Sequence, residues 1–181
     1  IPQSNNNNWW NQEQMRLKNS AVGIYNVGDK TTVLATGRDQ HNNLVTRSYD
    51  NSNYDASGYP QVELEDGDIA VADFNNDGYK DFLFTGQDKS GSPVTKLFTG
   101  APDNNTYMSA SPLVYNLSDY NFAGLYDSTA DFVDYDMDGD LDIFITGSDT
   151  TGAKTILYEV NSENKINTPP AAVSNIKVED L

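Results

Sequence analysis

Oxygen-bearing side chains recur at a fixed spacing in two nine-residue segments of this chain, residues 73–81 and 134–142. Each segment has Asp or Asn at positions 1, 3, 5 and 9 and glycine at position 6. Ca²⁺ accepts about 6–8 oxygen ligands, and short carboxylates two residues apart converge on one point when the backbone coils around it. Each segment therefore predicts one Ca²⁺ site.

The predicted ligands are the side chains at positions 1, 3, 5 and 9 and the residue at position 7, which supplies a backbone carbonyl. They are Asp73, Asn75, Asp77, Tyr79 and Asp81 in the first loop, and Asp134, Asp136, Asp138, Asp140 and Asp142 in the second. Gly78 and Gly139 permit the tight bend at position 6, which we expect to need a positive φ. The five carboxylates of the second loop repel one another unless a cation neutralises them. Asn75 removes one charge from the first loop.

The two loops differ from an EF-hand, which closes with a bidentate Glu at position 12 between two helices. Position 12 is Phe84 in the first loop and Ile145 in the second. Both residues lie in short apolar runs rich in β-branched and aromatic residues, which are typical of buried strands. Each loop is therefore predicted to join two strands, with Asp81 and Asp142 at the start of the second strand.

A Thr-Gly-x-Asp element occurs three times, and 49 and then 61 residues separate the successive copies. One predicted strand ends in each element, a second strand follows it, and a further candidate strand precedes each loop position. The elements are 36–39, 85–88 and 146–149, the following strands are 44–46, 94–98 and 154–158, and the preceding strands are 15–17, 62–64 and 113–115. Three four-stranded repeats in an all-β chain are typical of β-propeller blades.

The two Asp-x-Asp/Asn-x-Asp-Gly-x-x-Asp loops, each followed by an apolar strand and a glycine, resemble the FG-GAP/VCBS repeats of calcium-binding propellers such as the integrin α-subunits. Residues 98–102, Phe-Thr-Gly-Ala-Pro, also echo the Gly-Ala-Pro of that family. The resemblance covers roughly residues 12–160. It implies a propeller fold, structural Ca²⁺ in the blade loops, and binding work at the cell surface or outside the cell.

The first repeat departs from the loop pattern. At the 49-residue offset, Ile24, Gly28 and Thr32 stand where the second repeat has Asp73, Asp77 and Asp81. We expect no Ca²⁺ site in this repeat, so the prediction is two Ca²⁺ ions per chain.

The repeats divide the chain into blades at about residues 12–50, 51–100 and 101–167. Because propellers close with about 4–8 blades, further blades of the same parent chain or a self-associating copy are predicted to complete the ring. Residues 1–11 are an Asn-rich entry segment whose Trp9 and Trp10 either pack against the first blade or form a sugar-stacking platform. Residues 168–181 contain a Pro-Pro linker and an alternating strand pattern. That pattern either begins a module similar to a type III fibronectin domain or closes the propeller.

The formal net charge of −16 is inconsistent with binding nucleic acid or an anionic membrane surface, because both require clusters of Lys and Arg. No apolar stretch approaches the roughly 18–20 residues of a membrane span, and the absence of cysteine argues against a disulfide scaffold. Calcium sites of moderate affinity stay filled outside cells. An extracellular or cell-surface location follows from the motif.

The sequence offers little sign of catalysis. Its one histidine, His41, lies in a polar turn and is expected to be solvent-exposed. The sequence leaves two binding or catalytic functions open, beside a structural role in which the blades serve only as a rigid spacer or an assembly joint. The first is a non-catalytic, calcium-stabilised propeller segment that binds a glycan or a protein. The second is a segment of a secreted polysaccharide-degrading enzyme, because the resemblance extends to propellers that serve such enzymes as catalytic or accessory domains.

Overall fold

The computed structural model describes residues 16–27, 30–50, 62–100, 122–161 and 165–166. Every regular element in these ranges is a β-strand, which confirms the predicted all-β fold. Within them, no helix is long and apolar enough to cross a membrane. The entry segment with Trp9 and Trp10 and the Pro-containing segment 168–181 lie outside the described residues.

Nine strands form three antiparallel sheets, and in each sheet the strand that is second in sequence lies in the middle. Sheet 1 contains β1 (Lys18–Val27), β2 (Lys30–Arg38) and β3 (Leu44–Asp50); sheet 2 contains β4 (Glu65–Ala72), β5 (Asp81–Gln87) and β6 (Pro93–Phe98); sheet 3 contains β7 (Tyr126–Val133), β8 (Asp142–Asp149) and β9 (Gly152–Tyr158). A separate two-stranded ladder pairs β10 (Val160–Asn161) with β11 (Lys165–Ile166).

Equivalent residues pair with each other in all three sheets, which confirms the repeat in the backbone structure. The threonine of each Thr-Gly-x-Asp element lies opposite another threonine on the third strand of its sheet. These pairs are Thr36 with Thr46, Thr85 with Thr95, and Thr146 with Thr155.

Each repeat has three strands in the described residues, and the prediction of four is wrong for the second repeat. Val62 and Leu64 are buried and Glu63 between them is exposed, but the three residues form no strand. Their backbone groups bond to side chains instead, because the hydroxyls of Thr36 and Thr46 donate to the carbonyl oxygen of Val62 at 3.0 and 2.7 Å. In the other repeats, residues 16–17 are irregular, whereas Met15 and residues 113–115 lie outside the described part of the chain.

The aspartate that ends each Thr-Gly-x-Asp element caps the hairpin between the second and third strands. Asp39 Oδ1 accepts hydrogen bonds from the backbone N–H groups of His41 and Asn43, both at 2.9 Å. The bond from Asn43 is the main reason that the pKa of Asp39 lies below its ordinary value. Asp88 and Asp149 form the same kind of turn. His41 is exposed on its turn, as predicted.

Sheet 1 packs face to face against sheet 2. The core between them contains Leu34 of sheet 1 and the aromatic pair Phe82 and Phe84 of sheet 2, all at most 1% exposed. Val62 and Leu64 belong to the same core, so the segment that leads into sheet 2 also packs in the contact between the two sheets.

Sheet 2 packs with its other face against sheet 3. Successive side chains of a strand point to opposite faces. Phe82 and Phe84 therefore face sheet 1, whereas Leu83 between them belongs to the core shared with Ile143 and Ile145 of sheet 3. Strand β5 lies between two cores, which is why its sequence is a continuous apolar run.

The described sheets form an open stack, so each end of the stack presents an apolar face. On sheet 1, Val22 and Ile24 are 49% and 64% exposed. On sheet 3, Phe144 points away from sheet 2 and is 37% exposed. Strand β8 is therefore buried on one face only, although its sequence resembles that of β5.

Candidate metal sites

The two predicted loops connect equivalent strands and share one backbone conformation. The first joins β4 to β5 and the second joins β7 to β8. Gly78 and Gly139 at position 6 have φ values of 88° and 96°, which confirms the expected positive φ. Asn76 and Met137 at position 4 also have positive φ, 56° and 61°, a feature that the sequence analysis missed.

In the second loop, the first three predicted acidic ligands lie close together. Asp134, Asp136 and Asp138 each offer a carboxylate oxygen, and these oxygens lie within 4.8 Å of one another. All three side chains are exposed, so the site opens to solvent. Asp138 also accepts a hydrogen bond from the backbone N–H of Asp140 at 2.9 Å, which coils the loop around the carboxylates.

Asp140 lies outside this group of three, and one of its carboxylate oxygens lacks a hydrogen-bond donor. Its Oδ2 is covered, and no described group lies within hydrogen-bonding distance of it. Burial raises the pKa of Asp140, and the negative charges of Asp138, Asp134, Asp136 and Asp142 raise it further. The three converging carboxylates of Asp134, Asp136 and Asp138 fit a hard divalent cation, which prefers oxygen ligands.

The first loop is organised more by hydrogen bonds of its own. Asp73 Oδ2 accepts from the backbone N–H of Gly78 at 2.9 Å, and Asp77 Oδ1 accepts from that of Tyr79 at 2.8 Å. The amide of Asn75 donates to Asp77 Oδ2 at 2.9 Å. Asn75 therefore replaces a repulsive carboxylate contact with an attractive one, and this loop holds its shape with less charge than the second.

The aspartates at position 9 fasten each loop to the end of its own sheet. Asp81 accepts from the N–H groups of Phe74 at 2.6 Å and Gly100 at 2.7 Å. Asp142 accepts in the same way from Tyr135 at 2.9 Å and Val160 at 2.8 Å. Both aspartates are buried, at 0% and 1% exposure. Asp81 Oδ2 also accepts from the N–H of Asn75 at 3.3 Å. The role of Asp81 and Asp142 as metal ligands stays a prediction beside this structural role.

Burial dominates the electrostatics of Asp81. It raises the pKa of this carboxyl group to about 6, although the hydrogen bonds from Gly100, Phe74 and Asn75 act to lower it. The charge of Asp77 raises it a little further. A cation near Asp77 would favour the ionised form of Asp81 and so oppose the effect of burial on its pKa.

The first repeat has no corresponding nine-residue loop. Strands β1 and β2 stay paired up to Val27 and Lys30. Ile24 lies within β1, and Thr32 of β2 occupies the position that Asp81 has in sheet 2.

Large exposed hydrophobic side chains cluster at the two loops. Tyr79 is 40% exposed, Tyr135 is 62% exposed and Met137 is 88% exposed. Phe74 of the first loop and Phe132 of β7 lie with their ring centroids 5.4 Å apart, which places the first loop beside the end of β7 that leads into the second loop. The two loops therefore lie along the same edge of the stack.

Threonine side chains join one sheet to the next, and these contacts were not predicted from the sequence. Thr129 Oγ1 of sheet 3 donates to Asp68 Oδ2 of sheet 2 at 2.7 Å. Thr36, Thr46 and Thr95 each donate to a backbone carbonyl of the following repeat. The available signal was the recurrence of threonine at residues 46, 95 and 155, in steps of 49 and 60 residues that nearly match the 49 and 61 of the Thr-Gly-x-Asp elements.

Comparison with known proteins gave no match: no protein-family model, curated protein or solved structure matches this chain. The function of the chain is therefore inferred from its residues and their geometry.

Proposed function

We propose that this chain is a calcium-stabilised binding module of an extracellular or cell-surface protein, in which each of the two loops holds one Ca²⁺. The observation that carries this proposal is the convergence of Asp134, Asp136 and Asp138, whose carboxylate oxygens lie within 4.8 Å of one another. The three sheets are proposed to be blades of a β-propeller.

The carboxylates of the second loop repel one another in the absence of a cation. The carboxylate oxygens of Asp134, Asp136 and Asp138 lie within 4.8 Å of one another, and like charges this close repel. Asp134, Asp136 and Asp138 make three such pairs, and Asp140 adds to them. A divalent cation converts this repulsion into attraction, so its binding free energy contributes directly to the stability of the folded loop.

The first loop is proposed to bind Ca²⁺ more weakly than the second. It has Asn75 where the second loop has Asp136, and the affinity of such sites depends on the number of charged ligands. Hydrogen bonds within the first loop also leave less repulsion for the ion to relieve.

The ligand surface is proposed to be the edge of the stack that carries both loops. Tyr79, Tyr135 and Met137 are exposed there on turns that Ca²⁺ would stiffen. Aromatic side chains on ordered loops supply large contact areas at a small cost in conformational entropy, which suits the apolar face of a sugar or a protein surface. The proposed partner is a glycan or a protein.

The propeller arrangement is supported by the way in which the sheets repeat. Sheet 1 contacts sheet 2 through residues equivalent to those through which sheet 2 contacts sheet 3. Each end of the described stack presents an apolar face. Further blades of the parent chain, or a second copy, are the proposed neighbours of these faces.

Calorimetric titration of the metal-free chain with CaCl₂ tests the metal sites. We expect two binding events in the wild type, loss of the tighter event in Asp138→Asn and loss of the weaker event in Asp77→Asn. Each variant serves as the control for the other, and MgCl₂ serves as the control for ion selectivity. No binding heat and no change in the melting temperature at millimolar Ca²⁺ would contradict the proposal.

Binding to a panel of immobilised glycans and extracellular matrix proteins tests the ligand surface. The variant Tyr135→Ala with Met137→Ala is expected to lose binding while retaining both Ca²⁺ sites, since neither side chain is a predicted ligand. The matched control is Val22→Ala with Ile24→Ala, which removes exposed apolar groups from sheet 1 instead. Equal binding by both variants would exclude the loop edge as the ligand surface.

A further inference from the structure

Successive sheets of the chain pack through two equivalent rows of residues. A row takes one residue from each of the three strands of a sheet, joined by the strand pairing. We call the row that faces the following sheet the front row and the row that faces the preceding sheet the back row. The front rows are Gly23, Leu34 and Ser48 in sheet 1 and Ala70, Leu83 and Leu97 in sheet 2; the back rows are Ile69, Phe84 and Lys96 in sheet 2 and Ala130, Ile145 and Ile156 in sheet 3.

The front row of each sheet packs against the back row of the next sheet. In the first contact, Leu34 shares one core with Ile69 and Phe84. A Cβ atom at Gly23 would lie only 2.7 Å from Ile69 Cγ2, so the two rows approach closely. In the second contact, the shared core contains Ala70, Leu83, Leu97, Ala130 and Ile145. The chain therefore makes the same contact twice.

Each end of the stack carries one unused half of this contact. The front row of sheet 3 is Asp131, Phe144 and Leu157, and the back row of sheet 1 is Val22, Ala35 and Arg47. No described sheet packs against either row. Phe144 is 37% exposed and Val22 is 49% exposed. The chain thus presents a front row without a back row at one end and a back row without a front row at the other.

Most of the large hydrophobic side chains that are exposed lie at these two ends. Of the seven in the described ranges, five do so, namely Val22 and Ile24 on sheet 1 and Val133, Tyr135 and Phe144 on the front side of sheet 3. Tyr135 is equivalent to Phe74, and Ile24 is equivalent to Phe132. The rings of Phe74 and Phe132 pack with their centroids 5.4 Å apart, and Phe74 is only 4% exposed. Tyr135 and Ile24 are 62% and 64% exposed, so each lacks the contact that its equivalent makes.

The two unused rows also carry opposite charges. Arg47 lies in the back row of sheet 1, and its Nη1 is buried without a hydrogen-bond partner among the described residues. Its Nη2 is 3.9 Å from the carboxylate of Asp39. Asp131 lies in the front row of sheet 3 and is exposed. Opposite charges on two surfaces steer their association and help to fix its register.

We propose that the front row of sheet 3 binds the back row of sheet 1 of a second copy of this chain. Phe144 then takes the place of Leu34 and Leu83, and Tyr135 packs against Ile24 of the second copy. Tyr135 lies where this contact borders the proposed ligand surface. The inference rests on the proposed propeller arrangement of the sheets.

The contact is head-to-tail, and in a closed pair it forms twice, because each copy has both ends. Two copies supply six sheets, since each copy has three. Six lies within the range of about 4–8 blades at which propellers close, whereas the nine sheets of three copies lie outside it. The proposed assembly is therefore a ring of two copies.

Sedimentation velocity in CaCl₂ tests the proposal. The wild type should sediment as a dimer, with twice the 20.0 kDa of one chain, and as nothing larger. Ile24→Asp damages only the back of sheet 1 and Phe144→Asp damages only the front of sheet 3, so each variant alone should be monomeric. Thr150→Asp is the control and should stay dimeric, because it adds the same charge on the exposed turn between β8 and β9.

An equimolar mixture of Ile24→Asp and Phe144→Asp should recover a 1:1 dimer, because each mixed pair keeps one undamaged contact. The mixed dimer should be weaker than that of the wild type, which has two. Melting temperatures close to that of the wild-type monomer show that both variants are folded, as expected for substitutions at exposed positions.

The proposal is overturned if the wild type is monomeric at every concentration, or if the mixture of variants remains monomeric. It is also overturned if only one of the two variants dissociates, since the contact would then join two like faces, or if assemblies larger than two copies form. Calorimetric titration of the same samples with CaCl₂ separates this inference from the proposed function. A monomer that still shows two Ca²⁺ binding events rejects the second copy and leaves the metal sites in place.

Discussion

Arg38 of sheet 1 and Glu65 of sheet 2 form a two-pronged ion pair across the boundary between the sheets. The guanidinium group donates from both Nε and Nη2, and it also reaches the carbonyl oxygen of Asn42 at 2.9 Å. The pair therefore ties the end of β2 to the first residue of β4. The hydrogen bond from Arg38 is the main reason that the pKa of Glu65 lies below its ordinary value.

The Arg38–Glu65 pair should make the boundary between the sheets sensitive to acid. Because the folded-state pKa of Glu65 is depressed, its contribution is fully present above the ordinary value of 4.5 and is lost as the pH falls through the lower folded value. Arg38→Gln should therefore unfold at lower denaturant concentration than the wild type at pH 7, and the difference should shrink below pH 4.5. Urea unfolding from pH 7 to pH 3 measures this. A difference that does not change with pH would show that the ion pair contributes nothing.

The buried aspartates at position 9 should stabilise the fold even without metal. Asp81→Asn removes one of two acceptor oxygens that bind the N–H groups of Phe74 and Gly100, and leaving a buried donor unpaired costs about 1–3 kcal/mol. We expect Asp81→Asn to lower the melting temperature in EDTA. Asp77→Asn should matter only in the presence of Ca²⁺, because Asp77 is exposed. If EDTA removes the difference in melting temperature from the wild type for Asp81→Asn as it does for Asp77→Asn, Asp81 stabilises the fold only through the metal.

The positive φ values in the second loop should control its affinity for Ca²⁺. At Gly139, φ is 96° and a Cβ atom would meet nothing within 4 Å, so the cost of Gly139→Ala is backbone strain of about 1 kcal/mol or more. Met137 has a φ of 61° and an 88% exposed side chain, so Met137→Gly should relieve strain. Titration with Ca²⁺ should show weaker binding for Gly139→Ala and equal or tighter binding for Met137→Gly. The reverse order would mean that the loop changes conformation on binding.

Gly67 should be among the least replaceable residues of sheet 2. A Cβ atom there would lie 1.9 Å from the carbonyl oxygen of Thr85, which is backbone and cannot swing aside. Gly67→Ala should destabilise the protein by about 3 kcal/mol or more. Gly91→Ala is the control, because a Cβ atom at Gly91 meets nothing within 4 Å and only the φ of 75° is unfavourable. Chemical denaturation of both variants tests this, and equal losses would show that the bulge at Gly67 relaxes freely.

The sequence by itself determined the features that depend on nearby residues. Bonds between residues two to five positions apart shape the loops and the hairpin turns, as in Gly78 to Asp73 or His41 to Asp39. Side-chain type and spacing are sufficient to predict such contacts. The strands around the loops followed from the same local pattern, because β-branched and aromatic residues favour the pleated surface.

Only the tertiary structure decided which groups meet over longer distances. Val62 and Leu64 have a strand-like sequence, yet their backbone groups pair with threonine side chains 16 to 28 residues earlier. Asp81 is joined to Gly100, 19 residues away, and Phe144 is exposed although the equivalent Leu83 is buried. These outcomes depend on what packs against each face and what satisfies each buried backbone group, and neither is determined by neighbours in the chain.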